Sequence, residues 1–238
     1  MQKKKAVRKN GFQLPLNWLQ VLGWFLAIFE ICFISVFILT DETLIPCLFM
    51  YSLKLVLIAV MVLLYYMDPT AQKIIDDESD KVMCSICGWD VGIKAKHCGQ
   101  CNRCTGGFDH HCKWLNNCIG DKNYRVFIGL VVVLNIDKLL MMFYILMSLV
   151  TSYGNKDFGF FAAQVLLGVE NFSVLGFTLN LLVFHIYLKC AGITTYQYLL
   201  RRREKSNMSK DNLMLKRKKE ANTVVKNSYS NDSIKNSL

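Results

Sequence analysis

Apolar residues fall in four long blocks rather than in the short periodic stripes of a soluble domain. Residues 16–39 (LNWLQVLGWFLAIFEICFISVFIL) carry one charge, Glu30, over a length that spans a bilayer as a helix. Residues 44–66 (LIPCLFMYSLKLVLIAVMVLLYY) form a second block, again with one charge, Lys54. Only Thr40 to Thr43 separate the two, enough for a tight hairpin. The third block covers 126–151 and is interrupted by Asp137-Lys138; the fourth runs from about 160 to 188 and is most apolar from Phe172 to Leu188.

The pattern predicts an all-α polytopic membrane protein with a polar insert between its second and third helices. Its parts are a basic N-terminus (1–15), helices 1 and 2 (16–66), the insert (67–125), helices 3 and 4 (126–188) and a basic tail (189–238). Residues 204–238, rich in Lys, Asn and Ser, read as largely disordered. The N-terminus has the charge of a signal peptide, but its apolar stretch is too long and lacks an Ala-x-Ala site, so it reads as an uncleaved anchor.

Charge adds orientation. The net charge is +10, and five basic residues fall in the first nine positions (Lys3, Lys4, Lys5, Arg8, Lys9). The 40–43 loop has no Lys or Arg, the 67–125 segment eight, the 152–159 loop one, and the chain from Arg201 onward eleven. Alternate segments are rich and poor, as four spans with both ends and the insert in the cytosol require. Basic clusters beside apolar blocks mark membrane flanks, so nucleic acid is not an expected partner.

The charges inside the blocks have two readings. Structurally, Lys54 snorkels or pairs with Glu30, and Asp137 and Lys138 neutralise each other facing the bundle interior. Functionally, they line an ion or proton path. His185 reads as an interfacial residue, Cys32 and Cys47 as lipid-facing or packing residues, and Cys190 as a juxtamembrane acylation candidate.

The insert holds the chemistry. Seven of the ten cysteines and three of the four histidines lie between Cys84 and Cys118, a concentration that suits zinc in a reducing compartment better than a disulfide scaffold. The order is C-x2-C-x9-H-C-x2-C-x2-C-x4-D-H-H-C-x5-C. Cys84/Cys87 and Cys98/Cys101 have the spacing that turns both thiolates toward one tetrahedral ion. Ten groups could ligate: Cys84, Cys87, His97, Cys98, Cys101, Cys104, His110, His111, Cys112 and Cys118. Closed sites take four each, so two ions use eight and leave two over. Spacing does not say which two.

Adjacent His110 and His111 cannot easily point at one ion. If His111 joins the metal, His110 is free, with Asp109 to orient it and Cys112 close enough to give it a proton. Such a grouping is what a thiol nucleophile needs. The plainer reading is a zinc module with spare polar residues that only binds proteins.

Asp109-His110-His111-Cys112 within this spacing, between spans two and three of four, resembles the DHHC protein S-acyltransferases, or palmitoyltransferases. The likeness extends to Trp114, Asn116-Asn117-Cys118, Asn123 with Phe127, Asp68-Pro69 and Thr194-Thr195. The resemblance implies one zinc on Cys84, Cys87, His97 and Cys104, and a second on Cys98, Cys101, His111 and Cys118. It implies Cys112 as nucleophile, His110 as general base and Asp109 as its orienter. The expected co-substrate is a long-chain acyl-CoA such as palmitoyl-CoA, and the expected acceptors are cysteines of membrane-associated proteins. Trp114 and Phe127 are then expected along the acyl chain and Thr195 behind Asp109. Endoplasmic reticulum or Golgi membranes are the expected location, and a homo-oligomer is compatible with it.

Three positions depart from the family pattern. Lys113 stands where proline is usual, Gln197 replaces the glutamate of Thr-Thr-x-Glu, and Thr70 follows Asp68-Pro69 where glycine is common. Two other readings carry different expectations. A membrane adaptor would need no intact Asp109, His110 and Cys112 set, and a zinc transporter would need ligands within its spans.

Overall fold

The computed structural model describes residues 6–40, 44–71, 81–151 and 158–235. Lys3, Lys4 and Lys5 and residues 41–43, 72–80 and 152–157 therefore lie outside the described residues. The chain divides into two compact units, Met1–Gly192 and Ile193–Leu238.

The first unit contains helices α1 (Trp18–Thr40) and α2 (Leu44–Tyr66), an insert of six short strands, then α3 (Tyr124–Thr151) and α4 (Phe158–Cys190). All four helices are long and apolar enough to cross a membrane, and the chain is a multi-pass membrane protein. Pro46 sits in the first turn of α2, where no intrahelical N–H bond is lost. Large apolar side chains such as Phe25, Leu63, Phe143 and Phe172 face outward, as helices solvated by lipid tails allow. Asn123, just before α3, ties the preceding turn together: its side chain accepts the Gly120 N–H at 2.9 Å and donates to the Cys118 carbonyl at 2.9 Å.

Two apolar clusters form the interior. One joins Leu57, Leu64 and Tyr65 of α2 to Cys112, Leu115 and Ile119 of the insert and to Phe127, Leu130 and Val131 of α3. The other gathers Ile34, Cys47, Met50, Met141, Ile145 and Leu167. Cys47 is thus a packing residue, while Cys32 is exposed.

A layer of buried charge separates the two clusters. Lys54 Nζ bridges Glu30 and Asp137, and Lys138 Nζ pairs with Glu30 and lies 3.8 Å from Glu170. The expected Lys54–Glu30 contact is present. Asp137 and Lys138, however, do not neutralise each other. Successive helical residues point about 100° apart, so each finds a partner on a different helix. One charge network therefore ties α1, α2, α3 and α4 together. Removing Lys54 alone would leave Glu30 and Asp137 short of a cation in a dry interior, which costs about 3–5 kcal/mol. We expect Lys54→Met to lower the unfolding temperature in detergent. Asp137→Asn added to it should recover part of the loss, because Lys138 still serves Glu30. An unfolding temperature equal to the parent's would contradict the network.

The insert differs from the all-helical expectation. It holds three antiparallel hairpins: β1 (Lys81–Met83) with β2 (Asp90–Gly92), β3 (Lys96–Cys98) with β4 (Arg103–Thr105), and β5 (His110–Cys112) with β6 (Asn117–Ile119). Three-residue strands are too short to announce themselves by alternation. Their turns rely on left-handed residues, Gly88, Asn102 and Asn116.

The second unit is one helix, α5 (Thr195–Lys235). The sequence reading expected this tail to be largely disordered. It lacks Pro and Gly after Gly192 and is rich in Lys, Arg, Leu and Met, all good helix formers. Thr194 Oγ1 accepts the Gln197 N–H at 3.2 Å, and Gln197 Oε1 accepts the Thr194 N–H at 3.0 Å. That reciprocal capping box lets Gln197 start the helix as glutamate would.

Candidate active site

Strand geometry sorts the ten candidate ligands. His97 and Cys104 lie opposite each other in the β3–β4 register, and His111 and Cys118 do so in β5–β6. Each facing pair is joined by a CxxC from a hairpin turn. The first group is Cys84, Cys87, His97 and Cys104; the second is Cys98, Cys101, His111 and Cys118. Within each, all ligand atoms lie within 4.8 Å of one another. In the second, His111 Nδ1 lies 3.4, 3.8 and 3.7 Å from the sulfurs of Cys101, Cys98 and Cys118. In the first, His97 Nδ1 lies 3.2 Å from Cys87 Sγ, and Cys104 Sγ lies 3.7 Å from Cys87 Sγ.

A tetrahedral zinc with Zn–S of about 2.3 Å and Zn–N of about 2.0 Å has edges of roughly 3.5–3.8 Å. Both groups have that size and the donors of a closed structural site. All ten cysteines are free of disulfides. Hydrogen bonds from the Cys101 and Cys118 thiols hold Cys98 well below the ordinary thiol value, while the same sharing pushes Cys118 up.

Alternation along β5 separates the remaining groups. Successive side chains of a strand point to opposite faces, so His111 turns to the second cluster while His110 and Cys112 share the other face. There His110 Nδ1 meets Asp109 Oδ2 at 2.7 Å. Asp109 is buried, and its own N–H is held by the Ile119 carbonyl at 2.9 Å. Burial alone would lower the His110 pKa. Burial is the largest single influence, but the hydrogen bonds and charges of Asp109 and Cys112 together outweigh it and lift the pKa to about 9.

Cys112 is buried in the apolar cluster between α2 and α3. Phe127, one turn into α3, sets its edge against His110 at 5.3 Å. Trp114 packs on the same cluster and against Phe177 of α4 at 6.0 Å. A relay from Trp24 Nε1 to Tyr65 Oη (2.9 Å) and on to the Trp114 carbonyl (3.3 Å) fixes that turn. Thr195 belongs to the second unit, as the first residue of α5.

His185 is the largest departure from the sequence reading. Read as an interfacial residue, it is buried among side chains, 3% exposed, with its ring 5.8 Å from that of His110 and 5.3 Å from that of Phe127. Its Nδ1 lies 3.2 Å from Tyr124 Oη. A lone histidine in an apolar span was the available signal.

Arg103 was also missed. Buried beside β6, its guanidinium reaches Asp68, the Thr70 hydroxyl (3.1 Å), the Lys9 carbonyl (3.2 Å) and Asn117 Oδ1 (2.8 Å). Asn117 in turn donates to the Leu64 and Met67 carbonyls at the end of α2. Asn116 donates to the carbonyls of Gly11 and Pro15 and pairs with Arg8. These groups strap the insert onto the helices. Gly11 is needed in the strap, since a Cβ there would stand 2.3 Å from the Leu115 carbonyl oxygen. Partial burial would raise the Asp68 pKa, but hydrogen bonds from Thr70 and the Arg103 charge lower it. We expect Arg103→Met to destabilise the protein by about 1–3 kcal/mol, by removing the buried hydrogen bonds to Asn117 Oδ1, the Thr70 hydroxyl and the Lys9 carbonyl. Arg103→Lys should not restore it, because one ammonium cannot span the same fork. Thermal unfolding in detergent reads both, and a fully stable lysine variant would contradict this role.

Four apolar helices carrying a module of two Cys3His clusters, with an Asp–His pair and a cysteine beside them, define a polytopic membrane protein with a zinc-type cysteine-rich module. The family described as DHHC palmitoyltransferase matches residues 77–202, just over half of the 238-residue chain. The chain belongs to the DHHC palmitoyltransferase family. It is similar to a probable protein S-acyltransferase 20 of Arabidopsis thaliana, 32% identical over 55% of this chain and 21% of the relative. It is also similar to palmitoyltransferase ERF2 of Kluyveromyces lactis, 34% identical over 49% of this chain and 32% of the relative. Palmitoyltransferase ZDHHC17 of Rattus norvegicus is 50% identical over 20% of this chain and 8% of the relative. The chain thus matches about a third or less of the length of these relatives.

Proposed function

We propose that the chain is a protein S-acyltransferase that moves a long-chain acyl group, such as palmitoyl, from acyl-CoA to cysteines of membrane-associated proteins. The observation that carries this reading is the Asp109–His110 hydrogen bond at 2.7 Å, held on the strand face that also bears Cys112.

In this mechanism His110 takes the Cys112 proton and Asp109 fixes the ring so that its other nitrogen faces the sulfur. The thiolate attacks the acyl-CoA carbonyl. A new C–S bond forms, the bond to the CoA sulfur breaks, and CoA leaves with the proton from His110. A substrate thiol then repeats the exchange and regenerates Cys112. Because thioester replaces thioester, little driving force is needed and positioning carries most of the rate.

The apolar cluster around Cys112 suits an acyl chain, with Trp114 and Phe127 beside it. Each buried CH2 is worth about 0.8 kcal/mol, so a C16 chain stays in the bilayer with its carbonyl at the interface. Two zinc ions, one on Cys84, Cys87, His97 and Cys104 and one on Cys98, Cys101, His111 and Cys118, would supply structure rather than chemistry. Thr195 is proposed to support Asp109. The excess of Lys and Arg in the insert and tail argues for a cytosolic site, in endoplasmic reticulum or Golgi membranes; a homo-oligomer is compatible with this scheme.

Incubation of the purified protein with labelled palmitoyl-CoA tests the proposal. It should yield a protein-bound label that hydroxylamine releases, and transfer of that label to a cysteine-bearing membrane-associated protein. A zinc-loaded protein that never takes up label would favour an adaptor.

A further inference from the structure

Asp109, His110 and His185 form a third group of ligand atoms, all within 4.8 Å of one another, as in the two cysteine-rich clusters. The geometry points to an open divalent-metal site at these three residues, where a zinc-like ion binds reversibly and switches the thiol chemistry off. Two imidazoles and one carboxylate are a donor set that takes zinc or cobalt while leaving a coordination position free. The residues come from separate elements, the β5 segment and α4, so the site exists only in the folded bundle. His110 exposes 23% of its side chain, which gives an ion a way in. Magnesium and calcium prefer shells of oxygen and should not compete.

The consequence for the thiol follows from the two nitrogens of one ring. An ion on Nε2 of His110 would take the lone pair that accepts the Cys112 proton. An ion on Nδ1 would displace the hydrogen bond to Asp109 and force the remaining ring proton onto Nε2. Either way His110 ceases to be a base, and any proton it carried is released. Tyr124 Oη, 3.2 Å from His185 Nδ1, is placed to steady the second imidazole.

The inference rests on the acyltransferase reading only for its effect on activity, because metal binding is measured directly. Purified full-length protein holding two zinc ions, in detergent, is mixed with zinc or cobalt, passed through a desalting column and assayed for bound metal. A third equivalent is expected on the parent and on Cys112→Ser, and magnesium should not supply one. His185→Gln and His185→Phe should keep two ions and lose the third, with affinity falling at least about 10–100-fold. Acyl labelling of the parent should fall as the third ion binds and return with a weak chelator that spares the first two. Each His185 variant, compared with its own metal-free rate, should resist that inhibition. Binding that stops at two ions, or a third ion that persists in both His185 variants, overturns the site. If the parent never labels yet binds the third ion through His185, the metal site stands and the acyltransferase reading falls.

Discussion

Cys112→Ser should abolish the hydroxylamine-labile acyl label while leaving both zinc ions in place. The serine hydroxyl is far less acidic than a thiol, so even an intact Asp109–His110 pair cannot make it an efficient nucleophile. Losses of about 10^3-fold or more are usual when the reacting atom is removed, which puts the variant below detection. His110→Ala should follow with a drop of about 10^2–10^4-fold, the range of one general base. The fold should tolerate the serine, because Cys112 belongs to neither four-ligand group. Metal content and unfolding temperature measured beside the label separate the outcomes. Equal labelling of parent and Cys112→Ser would move the nucleophile elsewhere. Loss of one zinc ion would make Cys112 a ligand.

Cys118→Ser should have the reverse signature: one ion lost, and activity lost with Asp109, His110 and Cys112 all intact. Cys118 pairs with His111 across β5 and β6, the hairpin that carries His110 and Cys112. Apparent binding energies for structural zinc are about 10–16 kcal/mol, as large as the whole stability of an ordinary domain at about 5–15 kcal/mol. Three-residue strands cannot hold their register without it. A strong chelator should likewise unfold the insert while the helices, which depend on lipid-compatible packing, persist. Metal analysis with near-ultraviolet circular dichroism would show this. A Cys118→Ser protein with two zinc ions and full labelling would contradict it.

Much of this was readable in the chain. Four largely apolar stretches of bilayer length became four helices because an isolated apolar helix satisfies its own backbone and needs no distant partner. The count of ten ligands against two four-ligand sites required two spare groups. Which groups met was a matter of register. His97 faces Cys104, and His111 faces Cys118, only because the hairpins pair where they do. Asp137 and Lys138 show the same limit: adjacent in sequence and opposite in sign, they turn to different helices.

The local pattern by itself determined the membrane helices, the concentration of metal ligands and the Asp-His-His-Cys run. These depend on composition and short spacing, which a linear chain carries intact. Only the tertiary structure decided that Arg103 and Asn117 bind the insert to α2, that one charge layer joins four helices, and that His185 lies beside His110. Each of those contacts joins residues 14 to 108 positions apart, and no local spacing encodes such a meeting. It follows from how the helices pack and where the hairpins seat on them.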